Sequence, residues 1–578
     1  MREKKLYRVI ECITAGVILG IVLILLLVDN RVNYVYQTFC AVPNLVFAGG
    51  LAVLLVGYCL LKKKRLTGRR KKGNGETAVT ARLKVELERR NLLLMSVILL
   101  GVQLVVAWQI YFKTGWDCGK LVQMAQEVAF SYRDIGEDLY FSMYPNNVLL
   151  VAVFAAVLRF VKFLGFQADY FPLVMIGCLL VNLAGFFMAD CVRKMTRKNW
   201  LALFAWVVYI VLAGLSPWIS IPYSDTYSIL FPVFCFWLYL NLTEKNQYVV
   251  WFLIGFAGWL GSYIKPTVML LLLVLLAVEL WRRLWERKDR GKGVETQSWK
   301  KGFARFLLWA AVVACGIFLA MGLNGLARYK MGCKPDASKE FTPVHYLMMG
   351  LNYKTGGTYD QWDVNYSSAA PSVAARNEKD LGEIRARLSN MGVKGLGRHL
   401  GRKLLTNFND GTFAWGNEGE FYWNIQEKNT FLATRLRDYY YESGKGYGMF
   451  VCVAQAFWIL TLCLAAGNLL KIRRENIPDR EKNITDRQEN GGGLQGAENS
   501  LQKAERAQAA LMLGLLAIIC FVMVFEARAR YLFLYSPLFI LAAVTGLERF
   551  LEKVSPGKEQ TVQDKNTVTV QEKTGAEA

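Results

Sequence analysis

The chain is poor in the residues and spacings that most soluble enzymes use. It has two histidines, His345 and His399, in 578 residues. No HxxxH or HExxH pair and no Cys/His cluster occurs, which argues against a zinc centre. A phosphate-binding P-loop and a GxSxG elbow are both missing, and no GxGxxG opens a helix after a strand. These gaps argue against ATP-driven transport, a serine hydrolase and a cytosolic nucleotide-binding fold. The twelve cysteines form no CxxC pair and no disulfide framework. Most lie inside apolar runs and read as small buried hydrophobes. Acidic residues are scarce, 46 against 69 Lys and Arg, leaving a formal charge of +23. No internal repeat is evident, nor the paired interrupted helices that point to a transporter.

Long apolar runs are abundant. The chain is 54% hydrophobic with a mean hydropathy of +0.24, although 20% of its residues are charged. The charges gather in basic clusters between the runs, the pattern of a polytopic membrane protein. Candidate spans are 9–28, 38–61, 91–112, 172–191, 200–216, 227–243, 249–264, 267–281, 306–326, 449–470, 508–526 and 531–550. The predicted fold class is therefore all-α and polytopic, with about 12–13 transmembrane helices. The excess positive charge is assigned to cytoplasmic loops and the partner to a lipid bilayer, with no nucleic acid.

Placing the basic loops at 62–90, 193–198, 282–305 and 471–507 in the cytoplasm satisfies the positive-inside rule with one alternation. Asp117, Asp225, Lys265 and Arg528 then face outward. Residues 145–164 are apolar enough to span, but a full crossing there would put the Arg193 cluster outside. They are read as interfacial or re-entrant, with a full span as the alternative.

Five segments follow. Residues 1–90 form an N-terminal hairpin and a basic cytoplasmic loop; 91–326 form a membrane module with outer loops 113–171 and 217–226. Residues 327–448 are an extracytoplasmic loop domain or cap, 449–550 hold the last helices with the cytoplasmic loop 471–507, and 551–578 are a flexible cytoplasmic tail.

The polar residues at span ends carry what chemistry there is. Asp117, in GWDCG, sits where bilayer gives way to water, and a carboxylate there can serve as a general base. It can equally cap the helix that follows. Tyr144, Pro145, Asn146 and Asn147 read as a turn opening the next helix. Asp225, in PYSD, is either a second acidic group beside Asp117 or a helix cap. Lys265, in YIKPT, has no local acidic partner. Glu526, Arg528, Arg530 and Tyr531, in FEARARY, occupy the hinge before the last span. Ionisable groups between membrane helices are costly to keep there. Arginine suits phosphate oxygens, and snorkelling to lipid headgroups is the alternative for this pair. Glu526 can pair with either arginine.

GWDCG, the YP of the same outer loop, PYSD, an outer Lys-Pro and a late ExRxRY come in this order and on one side. This arrangement, over roughly residues 91–550, resembles the GT-C superfamily of integral membrane glycosyltransferases. It is most similar to the family 39 protein mannosyltransferase-like and aminoarabinose transferase-like bacterial members, and more distantly to mannosyltransferases of the glycosyl-phosphatidylinositol pathway. FTPVHYLMMGLN also resembles a stretch of Gram-positive members. The resemblance implies a sugar donor carried on a polyprenyl phosphate, used at the outer face of a bacterial plasma membrane. The acceptor would be a glycan, wall polymer or protein hydroxyl. It implies Asp117 as the base and Asp225 as a helper. Lys265, Arg528 and Arg530 would hold the lipid phosphate. Glu526, Tyr531, Tyr144 and Asn146 would line the substrates, with His345 on the sugar or acceptor side. The family divides over metal dependence, so a divalent cation, Mg or Mn, stays open. A flippase or transporter, a non-catalytic scaffold, and a polymerase or ligase of lipid-linked glycans are the rival readings.

Overall fold

The computed structural model describes residues 2–28, 40, 42–69, 89–131, 133–166, 169–290, 296–417, 428–470 and 493–554. The basic stretch 70–88, most of the 471–507 loop and the tail past 554 lie outside the described residues, as do Tyr422 and Trp423. Apart from one isolated bridge between Gly136 and Cys333, the described residues form helices and turns. That is what a bilayer demands, because each apolar run must satisfy its own backbone N–H and C=O groups.

The chain opens with α1 (Arg2–Leu27), α2 (Asn44–Arg69) and α3 (Arg89–Ile110). The first outer segment carries α4 (Trp116–Phe130), α5 (Leu139–Met143) and α6 (Val148–Phe163). Seven further helices follow: α7 (Phe171–Thr196), α8 (Asn199–Tyr209), α9 (Ser224–Ser228), α10 (Leu230–Leu240), α11 (Gln247–Ile264), α12 (Met269–Arg290) and α13 (Thr296–Lys330). The cap contributes α14 (Pro343–Gly350), α15 (Gln361–Ser368), α16 (Val373–Phe408) and α17 (Phe431–Tyr440), and the chain closes with α18 (Tyr447–Ala466), α19 (Gly493–Val524) and α20 (Ser536–Val554).

Among the described residues ten helices are long and apolar enough to cross a membrane, and Pro145–Phe163 is one of them. Its neighbours show that it adds no net crossing. Helices α3 and α7 are antiparallel: Asn182 donates to Ser96 O at 2.9 Å, while Trp108 meets Phe171 edge-on at 4.7 Å. Tyr170, at the start of α7, lies 3.3 Å from Thr114, just past α3. Residues 111–170 therefore leave and re-enter the bundle at the same end. Within them α6 runs beside α4, with Arg159 donating to Val128 O at 2.7 Å and Lys162 over the Phe130 ring.

One end of the bundle carries the ion pairs beside the basic loops. Arg549 binds Glu11 at 2.9 Å, Lys198 binds Glu548 at 2.6 Å, and Lys194 binds Asp190 at 2.6 Å. The other end carries residues 111–170, the 215–223 loop, Lys265, the cap and the 525–535 hinge. The cap begins only at residue 331, because α13 continues to Lys330. Its own apolar centre is small, Phe341, Met349 and Val364, and borrows Met143 and Tyr144 from the first outer segment. Arg387 ties α16 to α15 through Asp363 at 2.5 Å, and Arg376 holds Glu340 O at 2.8 Å. The cap is thus built jointly with the first outer loop and sits over the bundle.

Helices α11 and α13 pack backbone to backbone, as small residues allow in lipid. A Cβ on Gly255 would stand 2.7 Å from Val313 O, and one on Gly316 would run into Phe252 O. A Cβ on Gly322 would meet nothing. We expect Gly316→Ala to lower stability by about 1–3 kcal/mol through overpacking. Gly322→Ala should leave it unchanged, with thermal unfolding of the detergent-extracted protein as the measurement.

Candidate active site

The end of the bundle opposite the Arg193 cluster gathers acidic, cationic and phenolic groups from five stretches of the chain. Asp117 follows a tight turn. Trp116 has φ +39°, a strained value for a bulky residue, and a Cβ on Gly119 would clash with Thr114 O. The turn delivers Asp117 into the first turn of α4, where the N-cap is Gly115 and makes no side-chain bond. The carboxylate is half-buried and accepts from the Tyr223 phenol at 3.1 Å. The Tyr140 hydroxyl lies near enough to feel its charge, and Asn147 donates to that hydroxyl at 2.8 Å. Burial first, and the Asp117 charge second, push the Tyr140 phenol well above its usual range. Tyr140 therefore stays a donor.

Asp225 lies in the first turn of α9, whose N-cap Tyr223 makes no side-chain bond to the helix end. Neither aspartate acts as a helix cap. Asp225 is fully buried and accepts from Lys265 Nζ at 2.5 Å. On its other oxygen, Arg530 Nε lies 3.1 Å away, an ion pair by distance with the N–H angled off the oxygen. Lys265 has extended backbone, φ −141° and ψ 113°, as a residue before proline prefers. That break between α11 and α12 lets the ammonium reach Asp225 and cover the Tyr531 ring at 4.5 Å. Lys265 has no acidic partner close in sequence, and its partner Asp225 lies 40 residues away.

Arg530 and Tyr531 stand on a 3-10 turn, Ala529–Tyr535, where the expected span 531–550 was to begin; α20 starts at Ser536. The Arg530 guanidinium is walled by Trp116 at 5.1 Å, Tyr223 at 5.4 Å and Trp218 at 5.9 Å. Tyr223 is the shared wall: its hydroxyl holds Asp117 and its ring faces Arg530. Glu526 accepts from Tyr531 at 2.8 Å. Arg528 is half-buried, its backbone N–H fixed by Asn407 Oδ1 at 2.8 Å. Lys403 fastens the same hinge to the cap, donating to Gly350 O at 2.9 Å and Phe525 O at 2.6 Å. Burial pushes that ammonium down to about 7.

Other expected residues sit differently. Tyr144 packs in the cap's small core and borders the site: burial first, then the charges of Tyr346 and Asp117, raise its phenol. Asn146 donates to its neighbour Asn147 at 3.2 Å, so its link to Asp117 runs through Asn147 and Tyr140. His345 is a correction. It is fully buried inside the cap, stacked on Phe341 at 4.1 Å and bonded to Ser367 at 2.7 Å. Its contacts are with Phe341, Tyr346 and Ser367 of the cap. Tyr140, Tyr223, Trp116 and Trp218 went unnoticed in the sequence because aromatics crowd every segment. The local signals were Trp116 inside GWDCG and Tyr223 inside PYSD. Among the described residues no three His, Cys, Asp or Glu side chains gather as a metal site, and the chemistry proposed below uses none.

A family model described as conserved hypothetical integral membrane protein matches residues 74–474. The chain belongs to that family. No curated protein matches it. The matched region takes in Asp117, Asp225 and Lys265, starts after the α1–α2 hairpin, and stops before the Glu526–Tyr531 hinge.

Two outcomes follow from this geometry. Asp225→Asn leaves two cations in a buried site without their carboxylate, so it should cost about 3–5 kcal/mol. Adding Lys265→Met should recover part of the loss in the same unfolding measurement. For His345, burial pushes the imidazole down to about 4, with the Asp363 charge opposing. Between pH 6.5 and 4 the unfolded chain binds a proton that the folded chain refuses. Stability should therefore fall as pH drops through that window, and His345→Gln should reduce the fall.

Proposed function

We propose that the chain is a membrane glycosyltransferase, moving a sugar from a polyprenyl-phosphate donor to an acceptor hydroxyl at the outer face. One observation carries this reading: a half-buried carboxylate, Asp117, and a buried cation, Arg530, stand on two sides of a single residue, Tyr223. A base and a phosphate-attracting charge at that spacing suit a displacement at a sugar carbon. The acceptor oxygen forms the new bond to the anomeric carbon and the bond from that carbon to the phosphate oxygen breaks. The acceptor proton goes to Asp117, and the departing polyprenyl phosphate keeps the electron pair. A single step of this kind inverts the anomeric centre.

The remaining charges have distinct tasks in this scheme. Asp225 carries one negative charge against the two cations Lys265 and Arg530, leaving local positive charge to meet the phosphate. Asp225 and Lys265 act as positioning residues, which revises the expectation that Lys265 grips the phosphate itself. Arg528, at the half-buried rim, is the forked donor that first meets the lipid phosphate. A glycosyl phosphate already has a good leaving group, so positioning and charge neutralisation are the main work. The prenyl chain accounts for an enzyme housed in the bilayer, because its donor stays there. A transporter would need ionisable groups deep within several spans, and the charges of this cluster stand at span ends.

The test is transfer of labelled sugar from a polyprenyl phosphate in reconstituted membranes. Asp117→Asn should slow transfer roughly 10²–10⁴-fold while leaving insertion and unfolding temperature unchanged. Wild-type rates in that variant would remove Asp117 as the base.

A further inference from the structure

We propose that Cys40 and Cys452 form a disulfide at the outer face, stapling the N-terminal hairpin to the catalytic bundle. The two sulfurs lie 2.8 Å apart although 412 residues separate them in the chain. The sulfur contacts of Cys118, Cys178 and Cys235 are of another kind, to oxygen: Pro222 O and the Tyr170 hydroxyl at 3.4 Å for Cys118, and carbonyls at 3.8 and 4.0 Å for the other two. Sidedness places the pair in the compartment where disulfides persist. Cys40 precedes Asn44, which donates to Leu25 O at the far end of α1 and to Asn409 Oδ1 in the cap's return strand of chain. Cys452 stands in the second turn of α18, just after the cap.

The bond forms by thiol–disulfide exchange with an extracytoplasmic oxidoreductase that carries a disulfide. Burial, with the hydrogen bond to Cys452 adding to it, pushes the Cys40 thiol up to about 12. Cys452 is the more exposed of the two, so its thiolate attacks the oxidant's disulfide first. The Cys40 sulfur then displaces the oxidant from the mixed disulfide. The two protons and two electrons lost by the cysteines pass to the oxidant, which leaves as a dithiol.

The staple matters because of what lies next to it. The α1–α2 hairpin falls outside the family-matched residues 74–474. Gln455, one turn from Cys452, bonds Asn44 at 2.8 Å and Gly411 N at 2.7 Å. The loop after Gly411 receives the Trp218 indole on Thr412 O at 3.1 Å, and Trp218 walls Arg530. Fixing the hairpin therefore steadies one wall of the candidate active site.

The experiment blocks free thiols with an alkylating reagent in intact cells, then extracts the full-length protein. Peptide mass analysis follows, before and after reduction. The expected result is a Cys40–Cys452 cross-linked peptide, lost on reduction, while Cys118 and Cys235 appear as thiols. Reduction should also lower the unfolding temperature of wild type and leave Cys40→Ser/Cys452→Ser unaffected. Recovery of Cys40 and Cys452 as unlinked thiols in protein never exposed to reductant would overturn the proposal. Neither outcome depends on glycosyl transfer.

Discussion

A carboxylate held under two cations, away from water, is the constraint around which the outer end is organised. Asp225 is fully buried, and Lys265 and Arg530 are nearly so. Burying any one of the three alone would cost several kcal/mol, so each is tolerable only where the others are. That requirement joins α9, the break before α12 and the hinge before α20, three stretches that have no reason to meet in sequence. It also explains the irregular backbone there. The short helix at 224–228, the extended Lys265 and the 3-10 turn at 529–535 are departures from continuous spans, each of which lets a charged side chain reach the cluster.

Aromatic groups then separate this buried charge from the accessible one. Tyr223, Trp116 and Trp218 surround Arg530, and the outer side of Tyr223 holds Asp117. The arrangement keeps the negative Asp117 from collapsing onto the cations while leaving it half-open to the outer face. The hinge that carries Arg528 and Arg530 is itself pinned from above. Lys403 and Asn407 of α16 satisfy its carbonyls and one of its N–H groups, coupling the cap to the site. A cap whose core includes Met143 and Tyr144 is also coupled to the segment that holds Tyr140.

The membrane architecture was legible from hydropathy and charge. Among the described residues nine of the twelve expected spans coincide with helices long and apolar enough to cross, and 200–216, 227–243 and 267–281 do not. Residues 145–164, read as interfacial or re-entrant to keep the Arg193 cluster with the other basic loops, are the tenth such helix. The antiparallel packing of α3 and α7 reports the same return of residues 111–170 to one end. Asp117, Asp225, Arg528 and Arg530 were legible as a same-side set because charge at a span end stands out against lipid-facing sequence. His345 was assigned through the resemblance that FTPVHYLMMGLN helps to carry, and burial in the cap is invisible from composition.

Sequence alone marked which runs suit lipid and which polar residues gather at one end of the bundle, since those follow from the transfer cost of individual residues. Partnership did not follow from it. Whether Lys265 is a free cation or half of an ion pair, and whether Asp225 contacts substrate or anchors an arginine, depends on distances between residues tens to hundreds of positions apart. So does the meeting of Cys40 with Cys452. Helix packing decides those distances, and the tertiary structure alone supplies them.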